Sequence, residues 1–261
     1  MSYGIERNQD KKEVVMKVVY HKDFNLSYCS DPAAAFGRIE AVHGVIKERV
    51  TFVNAVPATA EDIDAVHTPS HIEMVQREGI YDIAALAAGA AIQAAQIGLK
   101  EPCFALIRPP GHHASAASSW GFCYFNNMAI ALEKLKRKGL INKALVLDFD
   151  LHFGDGTVNI LGTKGYVNIY NPSFSSRTDY LKGVQSFLES NPADIIGISA
   201  GFDNHIEDWG GLLTTTDYKE MGKMVKDAAN TNKSGYFAIL EGGYNNGVLG
   251  QNVMALIEGM E

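Results

Sequence analysis

The amino-acid sequence predicts an α/β fold, a single-domain three-layer α/β/α structure with a mainly parallel sheet. Short apolar runs recur along the chain, and segments with helical periodicity lie between several of them. Strands that alternate with helices form βαβ units, and a parallel sheet covered on both faces has strands that are apolar throughout. No repeat, low-complexity tract or linker interrupts the pattern, so residues 1–261 are predicted to form one domain.

Strands are predicted at the apolar runs 14–20, 50–53, 103–107, 144–147, 166–169, 195–199 and 236–240. Helical periodicity predicts helices over residues 125–138, 179–190, 218–230 and 247–258. The most apolar helix candidate is Tyr81–Gly98, but one acid and two glutamines interrupt it, and no run reaches the roughly 18 apolar residues of a membrane span. We therefore predict a buried helix there, in which Gly89 lets a neighbouring segment approach.

Composition and charge narrow the classes of function. Hydrophobic residues make up 46% of the chain and charged residues 20%, which allows a sizeable core. The net charge of −7 argues against nucleic acid or an anionic membrane surface as the main partner, and is compatible with cationic substrates. The three cysteines have no paired spacing, and residues 1–15 contain no apolar core, so we expect a cytoplasmic protein without a signal peptide.

Functional side chains follow four of the predicted strands, in the segments FALIRPPGHHA, ALVLDFDLHFGDG, IIGISAGFDNH and FAILEGGYN. Along the chain these side chains are His112 and His113, then Asp148, Asp150 and His152, then Asp203, and finally Tyr244. Open α/β sheets bind ligands just beyond the carboxyl ends of their strands. If the four strands are neighbours, the side chains converge on one rim, and the pattern indicates a metal site.

Asp150, His152 and Asp203 supply two carboxylates and one imidazole. Three protein ligands with open positions are typical of a catalytic zinc, whereas a structural zinc is closed by four ligands. Because two carboxylates neutralise most of the metal's charge, a bound water is acidified less than it is by three histidines. Such a site needs a separate base and a separate oxyanion donor.

The remaining groups fit those two roles. One of His112 and His113 supplies the base, and Tyr244 supplies the oxyanion donor. Asp148 and Asp155 are left to orient the two imidazoles and balance their charge. Each motif alone is more often a turn or a solvated face, but their conjunction at strand ends favours metal-assisted hydrolysis.

Five motifs, in this order, resemble the histone deacetylase and acetylpolyamine amidohydrolase family, which shares its fold with arginase: RPPGHHA, GFCYFNN, LDFDLHFGDGT, SAGFD and LEGGYN. The similarity extends over residues 18–245 and indicates a short prokaryotic-type member. It implies the arginase-deacetylase fold and one catalytic Zn²⁺ held by Asp150, His152 and Asp203.

The resemblance also implies roles for single residues. His113 is the general base and then the acid, with Asp155 as its partner. His112, held by Asp148, acts mainly through its charge, and Tyr244 donates to the carbonyl oxygen of the substrate.

A tunnel, a channel and a second cation are implied as well. Phe122 forms one wall of the acyl-chain tunnel. Arg38, in an early helix, lines an internal channel, with a salt bridge at the helix start as the alternative. A K⁺ ion is implied at Asp148 and neighbouring backbone oxygens, but Asn168 stands where the family usually has a serine ligand.

Departures from the family pattern affect the entrance. The segment between Asp155 and Asp203 is shorter than is usual in the family. The second aromatic wall of the tunnel is therefore not assigned firmly, with Phe174 as the candidate, and the site is expected to be more open. Glu207, Asp208 and Trp209 are expected either at the mouth of the site or in a solvated turn.

The leading hypothesis is a zinc-dependent amidohydrolase that removes acetyl groups from acetyl-lysine or acetylpolyamines, with a slight preference for small acetylated amines. A two-manganese ureohydrolase on the same fold is one alternative, but it requires Asp-x-His-x-Asp, and residues 148–152 read Asp-x-Asp-x-His. A catalytically inactive protein that binds or senses acylated ligands is the other. Such a protein is expected to lose a zinc ligand, a histidine or the tyrosine, and all are present.

Overall fold

The computed structural model describes residues 15–261, and its strands follow the apolar runs of the sequence. The strands found there are β1 (Lys17–Tyr20), β2 (Thr51–Asn54), β3 (Cys103–Ala105), β4 (Ala144–Asp148), β5 (Val167–Tyr170), β6 (Ile195–Ala200) and β7 (Gly235–Leu240). The α-helices are α1 (Arg38–Ile46), α2 (Ala60–Asp64), α3 (Pro69–Arg77), α4 (Tyr81–Gly98), α5 (Asn127–Arg137), α6 (Asp155–Leu161), α7 (Arg177–Ser190), α8 (Thr215–Asn232) and α9 (Asn246–Met260). Residues 1–14, which include the first residue of the first predicted strand and all but the last residue of the stretch considered for a signal peptide, lie outside the described residues.

The strands pair in parallel in one sheet, in the order β2-β1-β3-β7-β6-β4-β5. The four strands followed by functional side chains are therefore consecutive: β3, β7, β6 and β4. The register brings their ends to one level, because Asp148 of β4 pairs with Ser199 of β6, and Ala200 pairs with Leu240 of β7. The loops that carry the candidate residues thus leave the same rim of the sheet.

Helices on both faces of the sheet complete the three layers that the sequence predicts. Helix α4 packs against α5 and against β1, β3 and β7, while α8 packs against α9, β6 and β7. Within α4, Gly89 allows the predicted close approach, since a Cβ there would lie 2.0 Å from the carbonyl oxygen of Val56. Among the described residues, no helix combines the length and the apolar character that a bilayer crossing requires.

The boundaries of the predicted elements differ from the observed ones by up to three residues, and three short helices are not predicted. Strand β3 ends at Ala105 instead of residue 107. Leu106 and Ile107 stay buried, but the chain then enters Arg-Pro-Pro, and proline both lacks the N–H that a ladder needs and restricts the residue before it. Helices α2, α3 and α6 are not predicted from the sequence, because each has only five to nine residues, too few turns for a periodic pattern to be recognised.

A buried histidine ties together the ends of the segment 115–126. His67 donates from Nδ1 to the carbonyl oxygen of Ser115 at 3.1 Å, and its Nε2 accepts from the backbone N–H of Asn126 at 2.9 Å. Burial, and then the charge of the neighbouring His71, lower the pKa of His67 to about 3. A protonated ring would lose the hydrogen bond from Asn126, so the fold holds this imidazole neutral.

Acidification from about pH 7 to about pH 5 is expected to destabilise the protein by about 2 kcal/mol through His67 alone. The unfolded chain binds a proton there near the ordinary pKa of about 6.5, whereas the folded chain resists protonation until about pH 3. This contribution is complete above the unfolded pKa and is lost as the pH falls toward the folded one. Urea unfolding of the wild type and of His67→Gln at both pH values measures it, and an equal loss in the two proteins would contradict the assignment.

Candidate active site

The segment after β4 supplies most of the site. Strand β4 is buried along its whole length and ends at Asp148, and α6 begins at Asp155. Between them, Asp150 is buried, whereas the side chain of His152 is 38% exposed. The carboxylates thus lie inside the protein, and the imidazole faces the opening.

Asp150, His152 and Asp203 place three possible ligand atoms within 4.8 Å of one another. Nδ1 of His152 lies 3.2 Å from Oδ1 of Asp150 and 3.0 Å from Oδ2 of Asp203. Backbone amides hold the other carboxylate oxygens: Leu151 N–H donates to Asp203 at 3.0 Å, and Gly242 N–H donates to Asp150 at 2.8 Å. One oxygen of each carboxylate is left facing the imidazole.

This donor set fits a divalent cation. Asp203 is fully buried, and its Oδ2 has no hydrogen-bond partner among the described residues. Burial, and then the Asp150 carboxylate, raise the pKa of Asp203, while the adjacent carboxylates of Asp150 and Asp203 raise the pKa of His152 to about 10. Two adjacent buried carboxylates are costly without a compensating positive charge. Two carboxylate oxygens and one imidazole nitrogen, with other positions open, suit zinc and related first-row cations.

Two glycines make room for Asp150. Gly201 follows β6, and a Cβ there would lie 2.0 Å from Oδ2 of Asp150. Gly242 follows β7, and a Cβ there would lie 2.5 Å from the same oxygen. Any side chain at either position would displace this carboxylate, which explains why the loops read Ala-Gly-Phe-Asp and Glu-Gly-Gly-Tyr.

The adjacent histidines have different surroundings. His112 donates from Nδ1 to Asp148 at 3.1 Å, and His113 donates from Nδ1 to Asp155 at 2.8 Å. Burial opposes a charge on His112, but Asp150 and Asp148 outweigh it and raise its pKa. Burial, and then the charge of His112, lower the pKa of His113 to about 4. The pair thus combines a charged imidazole with a neutral one whose Nε2 can accept a proton.

Tyr244 enters the site after a turn. Gly243, with φ of +112°, bends the chain after β7, and Asp208 accepts the backbone N–H of Tyr244 at 2.8 Å. The phenol ring stacks on Trp209 with centroids 4.0 Å apart and meets Phe122 edge-on at 5.8 Å. Burial raises the pKa of Tyr244, so its hydroxyl keeps its proton and can donate.

These groups border a cavity of about 120 Å³, lined by Pro110, His112, His113, Trp120, Gly121, Phe122, His152, Trp209, Gly242 and Tyr244. Phe122 is among the lining residues, at the position expected for a tunnel wall. The structure does not bring Phe174 to this cavity. Its ring packs against Gly183 of α7, and the residue is 43% exposed. The indoles of Trp120 and Trp209 provide the additional aromatic walls.

Arg38, the first residue of α1, lies behind Tyr244. Its Nε donates to the carbonyl oxygen of Gly243 at 2.7 Å and its Nη2 to that of Glu241 at 2.5 Å. The guanidinium carbon is 5.5 Å from the centroid of the Tyr244 ring, and the residue is buried. Among the described residues no carboxylate pairs with Arg38, so the salt bridge considered as the alternative is not formed.

The turn after Asp203 contributes to the mouth of the site. The backbone N–H groups of Tyr244 and Asn245 both donate to Oδ2 of Asp208 at 2.8 Å, so this acid holds the loop that carries Tyr244. Glu207 is exposed, and its carbonyl oxygen accepts from Asn245 at 2.6 Å. The two acids expected at the mouth therefore differ, because only Glu207 leaves its carboxylate to solvent.

Two residues near the histidines escape the sequence prediction. Glu241 is buried, and its Oε2 accepts from the backbone of Gly111 at 2.7 Å and of His112 at 3.2 Å, while burial raises its pKa to about 7. Trp120 donates from Nε1 to Asp155 at 2.9 Å. Both lie inside recognised motifs or next to them, but nothing in the sequence distinguishes them from residues of a turn.

Asn168 lies on β5, and its Nδ2 donates to Asn191 at 2.9 Å. Its partner in the β4–β5 register is Leu145, three residues before Asp148. The side chain expected in place of a serine ligand is thus engaged elsewhere.

Comparison with known proteins identifies relatives over most of the chain. The histone deacetylase domain matches residues 33–171 and 162–260. A probable deacetylase of Archaeoglobus fulgidus is 31% identical over 301 aligned residues, which cover 89% of this chain and 82% of that protein. A histone deacetylase-like amidohydrolase of Pseudomonas aeruginosa is 27% identical over 80% of this chain and 70% of that protein. The polyamine deacetylase HDAC10 of Mus musculus is 27% identical over 82% of this chain and 42% of that protein.

The solved structure of the HDA15 HD domain superposes with a TM-score of 0.82 and covers 93% of this chain and 88% of that domain. At 24% sequence identity this likeness shows the fold, which is the arginase-deacetylase fold that the motifs imply. The domain match, the first relative and the Asp-His-Asp cluster agree with one another. The chain belongs to the histone deacetylase family, whose members are metal-dependent.

Proposed function

We propose that residues 1–261 form a single zinc-dependent deacetylase domain that hydrolyses the amide of acetyl-lysine or of an acetylpolyamine in the cytoplasm. One observation carries the proposal: the Asp150–His152–Asp203 cluster, whose two carboxylates are buried, adjoins a small aromatic cavity that also presents His113 and Tyr244. The printed names of the relatives, which include amidohydrolase and polyamine deacetylase, support an acylated amine as the substrate.

A zinc ion bound at this cluster would act as a Lewis acid that polarises the acyl carbonyl and acidifies a water molecule. His113, tied at Nδ1 to Asp155, takes the proton of the attacking water at Nε2. It returns this proton to the amine nitrogen as the C–N bond breaks, so that acetate and a free amine leave. Tyr244 donates its O–H to the carbonyl oxygen as negative charge develops there. His112, held by Asp148, adds a positive charge beside the reaction.

The proposal includes one K⁺ ion that binds beside Asp148 and has a structural role. The proposal does not include a second catalytic metal. His205 stands two residues after Asp203, where the two-manganese pattern has an aspartate, and its imidazole binds other groups. Its Nδ1 accepts from the backbone N–H of Glu207 at 3.1 Å, and its Nε2 lies 3.3 Å from Oγ1 of Thr215.

The proposal is tested by acetate release from N-acetylputrescine and from a fluorogenic acetyl-lysine peptide. The protein is stripped of metal with a chelator and then titrated with Zn²⁺. Activity is expected to disappear and to return in full at one zinc per chain. A requirement for two manganese ions would favour the ureohydrolase alternative, and binding of both probes without acetate release would favour an inactive sensor.

Both probes are expected to be hydrolysed, with no strong demand for peptide sequence and a slight preference for the small amine. Glu207 is exposed two residues before Trp209, which lines the cavity, and an ammonium that reaches its carboxylate gains from it, although solvent and salt screen the attraction. Glu207→Gln is therefore expected to lower kcat/KM for acetylputrescine roughly twofold to fivefold at low salt and less at high salt. Glu220→Gln, an exposed acid on α8, is the matched control. A roughly hundredfold preference for the peptide, unaffected by Glu207→Gln, would exclude the small-cation interpretation.

A further inference from the structure

Trp120 makes two contacts with the His113–Asp155 pair. Its indole N–H donates to Oδ2 of Asp155 at 2.9 Å, while Oδ1 of the same carboxylate accepts from Nδ1 of His113 at 2.8 Å. Its ring also stacks on the imidazole of His113, with centroids 3.8 Å apart and planes 29° from parallel. The three side chains therefore form a closed arrangement in which each touches the other two.

A tight turn brings Trp120 to this position. Gly121 and Phe122 both have left-handed backbone conformations, with φ of +59° and +68°. A positive φ is unusual for a bulky residue such as phenylalanine and is retained where surrounding structure imposes it. A Cβ on Gly121 would lie 2.4 Å from Cδ2 of His113, so the turn follows the edge of the imidazole closely. It presents Trp120 to the face of that ring and Phe122 to the cavity.

The two histidines differ in how their carboxylates are held. The side chain of Asp148, the partner of His112, is fully buried, and its second oxygen accepts from the backbone N–H of Asp150 at 3.3 Å. The side chain of Asp155, the partner of His113, is 35% exposed at the first turn of α6. A carboxylate open to water exchanges partners and rotates unless its second oxygen is also bound. At Asp155 the indole of Trp120 binds that oxygen.

We propose that Trp120 is a positioning residue for the hydrolysis. Its N–H fixes the carboxylate of Asp155, and its ring fixes the plane of His113, so that Nε2 keeps one direction toward the reacting carbon. This role rests on the proposed function of His113 as the proton-transferring group. Small errors in the placement of such a group cost rate and leave binding of the substrate unchanged.

Steady-state kinetics distinguish a Trp120 that positions His113 from a Trp120 that only lines the cavity. Trp120→Phe keeps an aromatic ring over His113 but removes the indole N–H. It is expected to lower kcat roughly tenfold to a hundredfold, by the same factor for N-acetylputrescine and the acetyl-lysine peptide, with KM changed less than about twofold. A change confined to KM, or one that differs between the two substrates, would overturn the proposal. Zinc content and thermal unfolding establish that the variant keeps its metal and its fold.

A second measurement does not depend on turnover. In zinc-loaded protein labelled with ¹⁵N-histidine, the Nδ1–H proton of His113 is assigned by its disappearance in His113→Asn. Trp120→Phe is expected to broaden this resonance through faster exchange with water, whereas Trp209→Phe, which changes the other indole of the cavity, is expected to preserve it. An unchanged resonance in Trp120→Phe would overturn the positioning role. If the wild-type protein releases no acetate but Trp120→Phe still broadens this resonance, the positioning of His113 by Trp120 is supported, and only the proposed function is contradicted.

Discussion

Replacing Asp203 with alanine is expected to abolish metal binding and hydrolysis together. Asp203 is fully buried, and its Oδ2 faces His152 with no hydrogen-bond partner in the described part of the chain. Without it, Asp150 and His152 form a two-ligand site, and zinc sites in proteins use at least three protein ligands. The loss of metal removes the carbonyl polarisation on which the proposed reaction depends.

Asp203→Asn sharpens this experiment because it keeps the size of the side chain and an acceptor for the amide of Leu151. Both variants are compared with Asp64→Asn, which changes an exposed acid on α2. Zinc per chain is measured by elemental analysis after dialysis, and acetate release is measured on the same samples. A variant of Asp203 that retains one zinc per chain, or full activity of the wild type without metal, would contradict the proposed site.

Tyr244→Phe is expected to keep the metal and the fold and to lower kcat by about 10²–10³, the usual effect of removing one oxyanion donor. The ring is held by Trp209 and the backbone by Asp208, so phenylalanine fits the same space. Burial raises the pKa of Tyr244, which keeps the hydroxyl protonated and able to donate. The loss should therefore come from the hydroxyl alone.

Tyr236→Phe is the matched control, because it removes a hydroxyl that donates to the carbonyl oxygen of Met260 outside the site. Its kcat is expected to equal that of the wild type. Single-turnover and steady-state rates on both substrates, together with zinc content, complete the comparison. If Tyr244→Phe turns over within about twofold of the wild type, its hydroxyl does not act in the reaction.

Much of the fold follows from the sequence because parallel strands buried on both faces are apolar throughout. Each predicted apolar run contains or overlaps a strand of the sheet in the described residues. The convergence of His112, Asp148, Asp203 and Tyr244 follows from a general property of such sheets, since the loops at the carboxyl ends of neighbouring strands meet. Periodicity does not detect the short helix α6, although a residue of the site begins it.

The entrance could not be predicted in the same way, because its contacts join segments far apart in the chain. The sequence offers Phe174 as the candidate for a tunnel wall, but the absence of a side chain at Gly183 lets its ring pack on α7. Trp209 follows an acid in what resembles a solvated turn. Only the structure shows that Asp208 binds the loop of Tyr244 and thereby sets the indole against the phenol.

The chain contains two tryptophans, and both line the small cavity beside the candidate metal ligands. Trp120 lies against the imidazole of His113, and Trp209 lies against Tyr244 with its plane perpendicular to the ring of His152. When indole alone is excited, the ultraviolet emission of the whole protein therefore originates at this one place. The natural fluorescence of the protein is thus an unlabelled optical reporter of whatever enters the cavity.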